Sequence, residues 1–261
     1  LYQQNVLSVM EEVWHKEGER IDLVIFLNGI AIFTFELKCN TSGQNYEDAI
    51  RQYKFERDYK TRLLKFKAGC LAHFAMDLNE VYMCTNLKGK SSFFLPFNKG
   101  CGVGIHSGKG NPHNENGINV SYMWEDILKK DTVLYLIDKI IFLQKETKKD
   151  PDTGKRVTKE TLIFPRYHQF NAVRKLVADA AEHHSEKNYL IEHSAGSGKT
   201  NTIAWLAHRF ASLHDRENKV IFDTVCIITD RIVVDRQLQN VVLSLEHKAG
   251  LIKVMDEKCT S

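Results

Sequence analysis

Residues Ile21 to Cys39 read IDLVIFLNGIAIFTFELKC: two apolar runs joined at Asn28-Gly29, with Asp22 entering the first and Glu36 and Lys38 near the end of the second. Asn-Gly between apolar runs signals a β-hairpin. Carboxylates and an amine are costly in a buried strand pair, so their presence in so apolar a stretch asks for a function. Strand alternation sets Thr34, Glu36 and Lys38 on one face, and the turn decides where Asp22 falls. A two-residue loop would pair Leu27 with Ile30, place Asp22 opposite Phe35 and leave it on the other face. A three-residue loop, with Gly29 as a left-handed bulge, pairs Phe26 with Ile30, sets Asp22 opposite Thr34 and joins it to the cluster. The bulged loop is therefore expected, or else an Asp22 lying just outside the regular ladder. Leu23, Ile25, Leu27, Phe33, Phe35 and Leu37 alternate with Val24, Phe26, Ile30 and Ile32, so both faces are apolar and both should be covered. That pattern suits an α/β or α+β sandwich with the polar cluster at the end of central strands.

Two carboxylates at an open strand end suit a hard, oxygen-seeking ion such as Mg²⁺, which binds through one or two acids, retained waters and substrate phosphate. A lysine two residues beyond the second acid can orient the attacking water and offset transition-state charge, and such a set hydrolyses phosphodiesters. The alternative for the same residues is a structural ion pair of Lys38 with Asp22 or Glu36.

The stretch closely resembles the PD-(D/E)xK nuclease core, specifically that of the R (restriction and motor) subunit of type I restriction enzymes. The resemblance rests on D-L-V-I-F-L-N-G, on F-E-L-K and on Gln44 to Gln52, QNYEDAIRQ. Ile21 stands where the pattern has proline. The resemblance implies that Asp22 and Glu36 hold Mg²⁺, that Lys38 serves the water and that Gln52 supports the site. Gln52 fits the first position of the family's Q-x-x-x-Y element, whose tyrosine is replaced here by Glu56.

The 261 residues, 43% hydrophobic and 26% charged, can bury one large core or two ordinary ones without staples. No apolar run reaches about 18 residues and no secretory leader pattern opens the sequence, so a cytoplasmic protein without membrane contact is expected. The six cysteines form no C-x-x-C pair, which excludes a zinc knuckle and fits reduced thiols. With 36 basic against 33 acidic residues, any nucleic-acid surface must be local.

A strand is expected from Val6 to Trp14, carrying Glu11 and Glu12 as a solvated pair or as helpers of a metal. Tyr46 to Phe66 reads as one long helix with an acidic first turn. Its Lys54 and Arg57, among other basic residues interleaved with aromatics, are candidates for DNA phosphate contact, against the plainer reading of a solvated face. Further strands are expected within Ala68 to Phe97, then a Gly-, Asn- and His-rich loop over 100–117. Helical spacing runs from Trp124 to Lys145. Lys145 to Lys159, KETKKDPDTGKRVTK, is charged and holds a turn sequence, which marks a domain boundary.

Tyr189 to Thr200 reads YLIEHSAGSGKT, an apolar strand running into a glycine turn, and helical spacing follows from Asn201 to Leu213. Strand, loop and helix in this order make a phosphate loop. Backbone amides around Gly196, Ser197 and Gly198 would cradle the phosphates of ATP, Lys199 would span β and γ, and the Thr200 hydroxyl would hold Mg²⁺. The A-G-S-G-K-T form resembles superfamily 2 motors. That resemblance implies an adenine-sensing role for Gln169 in FPRYHQ. Val220 to Thr229 reads as a buried strand, and the resemblance implies DNA contacts from Arg231 and Gln237 beyond it. No D-E-x-H or D-E-x-D acid pair occurs, so full ATPase activity is not expected of this chain.

The expectation is thus an α/β protein: a restriction-endonuclease-like α/β/α nuclease domain over 1–150, a linker over 151–163 and part of a RecA-like P-loop domain over 164–261. The resemblance implies Mg²⁺-dependent cleavage of double-stranded DNA, coupled in the full protein to ATP-driven translocation, with specificity (S) and methylation (M) subunits as partners. The rivals are an end-dependent helicase-nuclease of DNA repair and a catalytically silent DNA-docking module.

Overall fold

The computed structural model describes residues 2–101, 109–150, 153–229 and 232–245. The chain divides into two compact units, Leu1–Asp138 with Thr161–Tyr167, and Lys139–Glu160 with His168–Ser261.

The first unit is built on one six-stranded mixed sheet in sequential order: β1 (Leu7–Lys16), β2 (Glu19–Leu27), β3 (Ile30–Leu37), β4 (Ala72–Met76), β5 (Val81–Cys84) and the short β6 (Leu95–Pro96). Four pairings are antiparallel; β3 and β4 are parallel, with helix α1 (Tyr46–Phe55) in the crossover between them. The middle of β2 and β3 is covered on both faces, as their sequence requires, whereas Ile30 at the turn and Leu37 at the far end of β3 are exposed, contrary to expectation. On one face Phe33, Phe35, Phe74, Phe97 and Phe164 pack as an aromatic cluster with ring centroids 4.9 to 6.1 Å apart. On the other, Val24, Ala49, Tyr53, Leu64, Ala75 and Cys84 form a core under α1. Burying a phenylalanine stabilises by about 1.5–3 kcal/mol, so the ring cluster outweighs the several kcal/mol that a single buried carboxylate costs.

Helix α1 is shorter than its basic, aromatic spacing suggests. Asn45 caps it by accepting from the Glu47 amide, and Asp48 reaches back to the Asn45 amide, a capping box. It ends at Phe55 rather than near residue 66, because the next residues are claimed by the sheet. The Asp58 amide donates to Glu19 Oε2 at 2.7 Å, and Asp58 accepts from Lys16 Nζ at 3.2 Å and from the Lys60 amide at 3.0 Å. The helical spacing after Trp124 is also interrupted: π-helical turns at Met123–Ile127 and Leu136–Ile140 flank a short α2 (Lys130–Tyr135), and a strand begins at Phe142.

The second unit holds most of a hairpin, β7 (Phe142–Lys149) and β8 (Arg156–Ile163), with helices α3 (Tyr167–His183), α4 (Lys199–Ala211) and α5 (Ile232–Ser244). The stretch expected as a linker, 151–163, therefore carries β8. Cross-strand pairs hold it to β7: Thr147 to Thr158 at 2.9 Å and Lys145 to Glu160 at 3.5 Å. Trp205 of α4 is 1% exposed and donates its indole N–H to the Ile140 carbonyl at 2.8 Å.

The strands expected at Tyr189–His193 and Val220–Thr229 are not formed. Leu190 is 94% and Ile228 90% exposed. A buried parallel strand needs hydrogen-bonded neighbours, and among the described residues of this unit the hairpin is the only sheet. No helix among the described residues is long and apolar enough to cross a membrane.

Candidate active site

The hairpin closes with a two-residue loop. Leu27 pairs with Ile30, and both Asn28 (φ 52°) and Gly29 (φ 79°) are left-handed, as a type I′ turn requires. The expected three-residue turn is therefore not present, whereas Asp22 lies one residue beyond the paired ladder of β2 and β3, as the other expectation had it. The extra residue sits instead inside β3. Phe26 pairs with Ala31 but Ile25 pairs with Phe33, which leaves Ile32 as a β-bulge. From there Val24 lies opposite Thr34 and Leu23 opposite Phe35, a register that, continued by one residue, faces Asp22 with Glu36. The bulge does the work assigned to the turn and puts Asp22 on the face of Thr34 and Glu36.

Asp22 Oδ2 accepts the Leu37 amide at 2.7 Å and lies 3.9 Å from Lys38 Nζ. Glu36 is fully buried. Its Oε1 accepts from Arg57 Nε at 2.7 Å, while its Oε2, also buried, has no hydrogen-bond partner. Gln52, on the inward side of α1, has an equally orphaned buried Oε1. Burial, helped by the neighbouring Asp22 carboxylate, pushes the Glu36 carboxyl up to about 8 against the downward pull of Arg57. Behind the acid, Thr34 shares short hydrogen bonds with the Tyr53 hydroxyl and with His73 Nδ1, both at 2.8 Å. Burial lowers the His73 imidazole to about 3, so the network is neutral. Beside the cluster a polar cleft of about 140 Å³ is lined by Lys38, Gln44, Asp48, Arg51, Gln52 and Glu56.

The four residues named from sequence, Asp22, Glu36, Lys38 and Gln52, thus lie on neighbouring elements at one end of the sheet. Two carboxylates and an orphaned amide oxygen are hard oxygen donors, and the unpartnered Oε2 of Glu36 is the atom a cation would satisfy. Among the described residues no group of three or more His, Cys, Asp or Glu could hold a metal. Mg²⁺ does not require one, since it takes one or two carboxylates with water and phosphate. Glu12 stays outside the site, exposed and paired with Arg20 at 3.0 Å.

The two candidate DNA contacts of the long helix separate. Lys54 is half-buried in the last turn of α1. Arg57 lies beyond the helix and turns inward to Glu36. Sequence reasoning missed that role because a continued helix would have pointed Arg57 elsewhere. The signal for it was Glu56-Arg57-Asp58, whose aspartate favours turns over helix interiors.

In the second unit the glycine loop precedes α4 as the motif requires. Gly196 (φ 74°) and Gly198 (φ 85°) take left-handed conformations, and Gly198 caps α4. Gln169, buried in α3, donates to the Gly198 carbonyl at 2.8 Å, and a Cβ on Gly198 would stand 2.5 Å from Gln169 Nε2. Lys199 Nζ donates to the His193 and Ser194 carbonyls at 2.6 and 3.2 Å, so the lysine closes on its own loop. Ser197 is buried with an unpartnered hydroxyl, and Thr200 begins α4 beside Lys199. Arg231 and the side chain of Gln237 lie outside the described residues.

Residues 2–92 match the family described as type I restriction enzyme R protein N terminus (HSDR_N), and residues 168–257 match the SWI2/SNF2 ATPase family. Among curated proteins, the chain is 26% identical over 262 residues to a putative type I restriction enzyme MjaVIIIP endonuclease subunit of Methanocaldococcus jannaschii, covering 94% of this chain and 22% of that protein. It is 24% identical over 248 residues to the putative MjaVIIP endonuclease subunit of the same organism, covering 89% of this chain and 20% of that protein. The chain spans about a fifth of the length of these relatives. No solved structure matches it. The carboxylate-lysine cluster lies within the stretch that matches the type I restriction enzyme R protein N terminus, and the SWI2/SNF2 ATPase match follows it along the chain, so the chain is similar to the N-terminal part of type I restriction enzyme R proteins.

Proposed function

We propose that the first unit is the nuclease centre of a type I restriction endonuclease R subunit, hydrolysing phosphodiester bonds of double-stranded DNA with Mg²⁺ held between Asp22 and Glu36. The observation that carries this reading is the buried, unpartnered Oε2 of Glu36 on the face shared with Asp22 and Lys38. A bound Mg²⁺ would supply Lewis-acid charge at the scissile phosphate and a more acidic water. Lys38, held near Asp22, offsets the negative charge that grows on the phosphoryl oxygens and orients the attacking water. Gln52 offers its orphaned amide oxygen to that water or to substrate. The Leu37 amide fixes the Asp22 carboxylate, so the acid is aimed before substrate arrives. An α/β/α restriction-endonuclease-like core fits the sheet covered on both faces.

In this reading the second unit contributes part of a motor lobe. Gly196, Ser197 and Gly198 cradle the phosphates of ATP, Lys199 leaves the His193 and Ser194 carbonyls to bind them, and Thr200 holds the nucleotide's Mg²⁺. Gln169 serves the adenine or anchors the loop through Gly198. The whole protein would act in the cytoplasm with specificity and methylation subunits, translocating DNA at the expense of ATP before cutting it.

The test is cleavage of covalently closed duplex DNA by the R protein assembled with those subunits and supplied with ATP and Mg²⁺. Linear product from the wild type and none from Glu36→Ala supports the reading. Cleavage confined to DNA with free ends would move the protein to the end-dependent helicase-nucleases. Equal cutting by the variant would remove Glu36 from the chemistry.

A further inference from the structure

Arg57 is joined to Glu36 more closely than any other charged group at the site, and its place is built rather than incidental. It stands two residues beyond Phe55, the end of α1, and the turn that carries it is tied down on both sides. The Glu56 amide donates to the Gln52 carbonyl at 2.9 Å, the Asp58 amide to Glu19 Oε2 at 2.7 Å, and Thr61 Oγ1 lies 3.0 Å from His15 Nδ1. The side chain of Arg57 is only 9% exposed and that of Glu36 is not exposed at all. A guanidinium so held does not sweep across a surface; it fixes a carboxylate.

The consequence lies in which oxygen it takes. Arg57 Nε occupies Oε1, and Oε2 is left without a partner. A carboxylate with one oxygen committed to a guanidinium can give a cation only the other. Mg²⁺ and Mn²⁺ accept one-oxygen carboxylate ligands in an octahedral shell, whereas Ca²⁺ is larger and readily takes both oxygens of an acid. We propose that Arg57 is a positioning residue that restricts Glu36 to one-oxygen coordination and thereby selects a small octahedral cation over Ca²⁺. The inference rests on the nuclease reading above, because it presumes that Glu36 is a metal ligand.

The experiment is direct titration of the protein with Mn²⁺ and with Ca²⁺ at one pH, by calorimetry, for the wild type, Arg57→Gln, Arg57→Lys and Glu36→Gln. Changes in groups that orient metal ligands shift affinity by roughly 10–100-fold. The ratio of Ca²⁺ to Mn²⁺ affinity is therefore expected to rise about tenfold in R57Q and to stay near the wild-type ratio in R57K, whose ammonium can still donate to Oε1. An unchanged ratio in R57Q, with binding in E36Q lost, overturns the role of Arg57 and leaves the nuclease reading standing. Binding unchanged in E36Q overturns that reading itself. Because removing Arg57 strips a buried carboxylate of its partner, Asp58→Ala provides a second variant: it removes the side-chain acceptor of Lys16 Nζ and of the Lys60 amide, which loosens the turn while keeping both Arg57 and Glu36. The ratio is expected to move in the same direction by a few fold, and no movement in a folded D58A protein contradicts the proposal.

Discussion

Asp22 shares a face with Glu36 because β3 contains one residue more than β2 between the turn and the site, and that residue is Ile32. The two acids are brought together by backbone register, with the Leu37 amide holding Asp22 in place. Asp22→Asn keeps the size and much of the hydrogen bonding but loses the charge. Metal-dependent cleavage is expected to fall by at least roughly a hundredfold, the loss typical of one electrostatic contributor in an active site, while the circular dichroism spectrum stays that of the wild type. Cleavage within a few fold of wild type would show that Asp22 serves the hairpin alone.

The buried Glu36 gives the metal-free protein an unusual pH dependence. Its carboxyl is pushed up to about 8 from an ordinary 4.5, so between those values the folded state holds a proton that the unfolded state has released. Stability then falls as pH rises through that window, by at most about 1.4 kcal/mol per pH unit from this group. Urea unfolding of metal-free protein should show a lower midpoint at pH 8.5 than at pH 5.5, and Glu36→Gln should flatten the difference. A wild-type midpoint as flat with pH as that of E36Q would mean that Glu36 is already ionised at pH 5.5.

Gly198 combines a left-handed backbone with a Cβ position 2.5 Å from Gln169 Nε2. Gly198→Ala is expected to destabilise the second unit by about 1–3 kcal/mol. Gln169→Ala removes the obstructing amide but also its bond to the Gly198 carbonyl. The double variant should therefore lose less than the sum of the two single losses. Strict additivity in thermal unfolding would show that the two residues do not press on each other.

Lys199 donates to the His193 and Ser194 carbonyls of its own loop. Hydrogen bonds to charged groups contribute about 1.5–3 kcal/mol, so Lys199→Ala should weaken nucleotide binding by roughly 10–150-fold, read by fluorescence of a labelled ATP analogue. Equal affinity in K199A would mean that the loop carbonyls it now contacts are its permanent partners.

Much of this arrangement was legible in the residues. The hairpin reversing at Asn28-Gly29, the apolar strands and the F-E-L-K spacing each follow from local chemistry that the structure repeats, although the loop has two residues where three were expected. The bulge was legible only as a need: the polar cluster demanded one extra residue, but nothing in A-I-F-T marks Ile32 as its site, because bulge position is set by how β3 meets both β2 and β4. The Ile32 carbonyl accepts the Leu71 amide at 2.8 Å, a contact far away in sequence. Helix α1 was overextended for the same kind of reason. Residues 56–66 have helical spacing, but Arg57 and Asp58 find partners on β3, β2 and β1 that a propensity cannot foresee. The missing strands at 189–193 and 220–229 show the opposite limit, since apolar runs make strands only where other strands receive them.

The most direct test of the central claim is a Mn²⁺ titration of the protein beside its Glu36→Gln variant. A saturable binding event is expected in the wild type, abolished by Glu36→Gln and weakened by Asp22→Asn. Superimposable titrations of the wild type and the Glu36→Gln protein would contradict it.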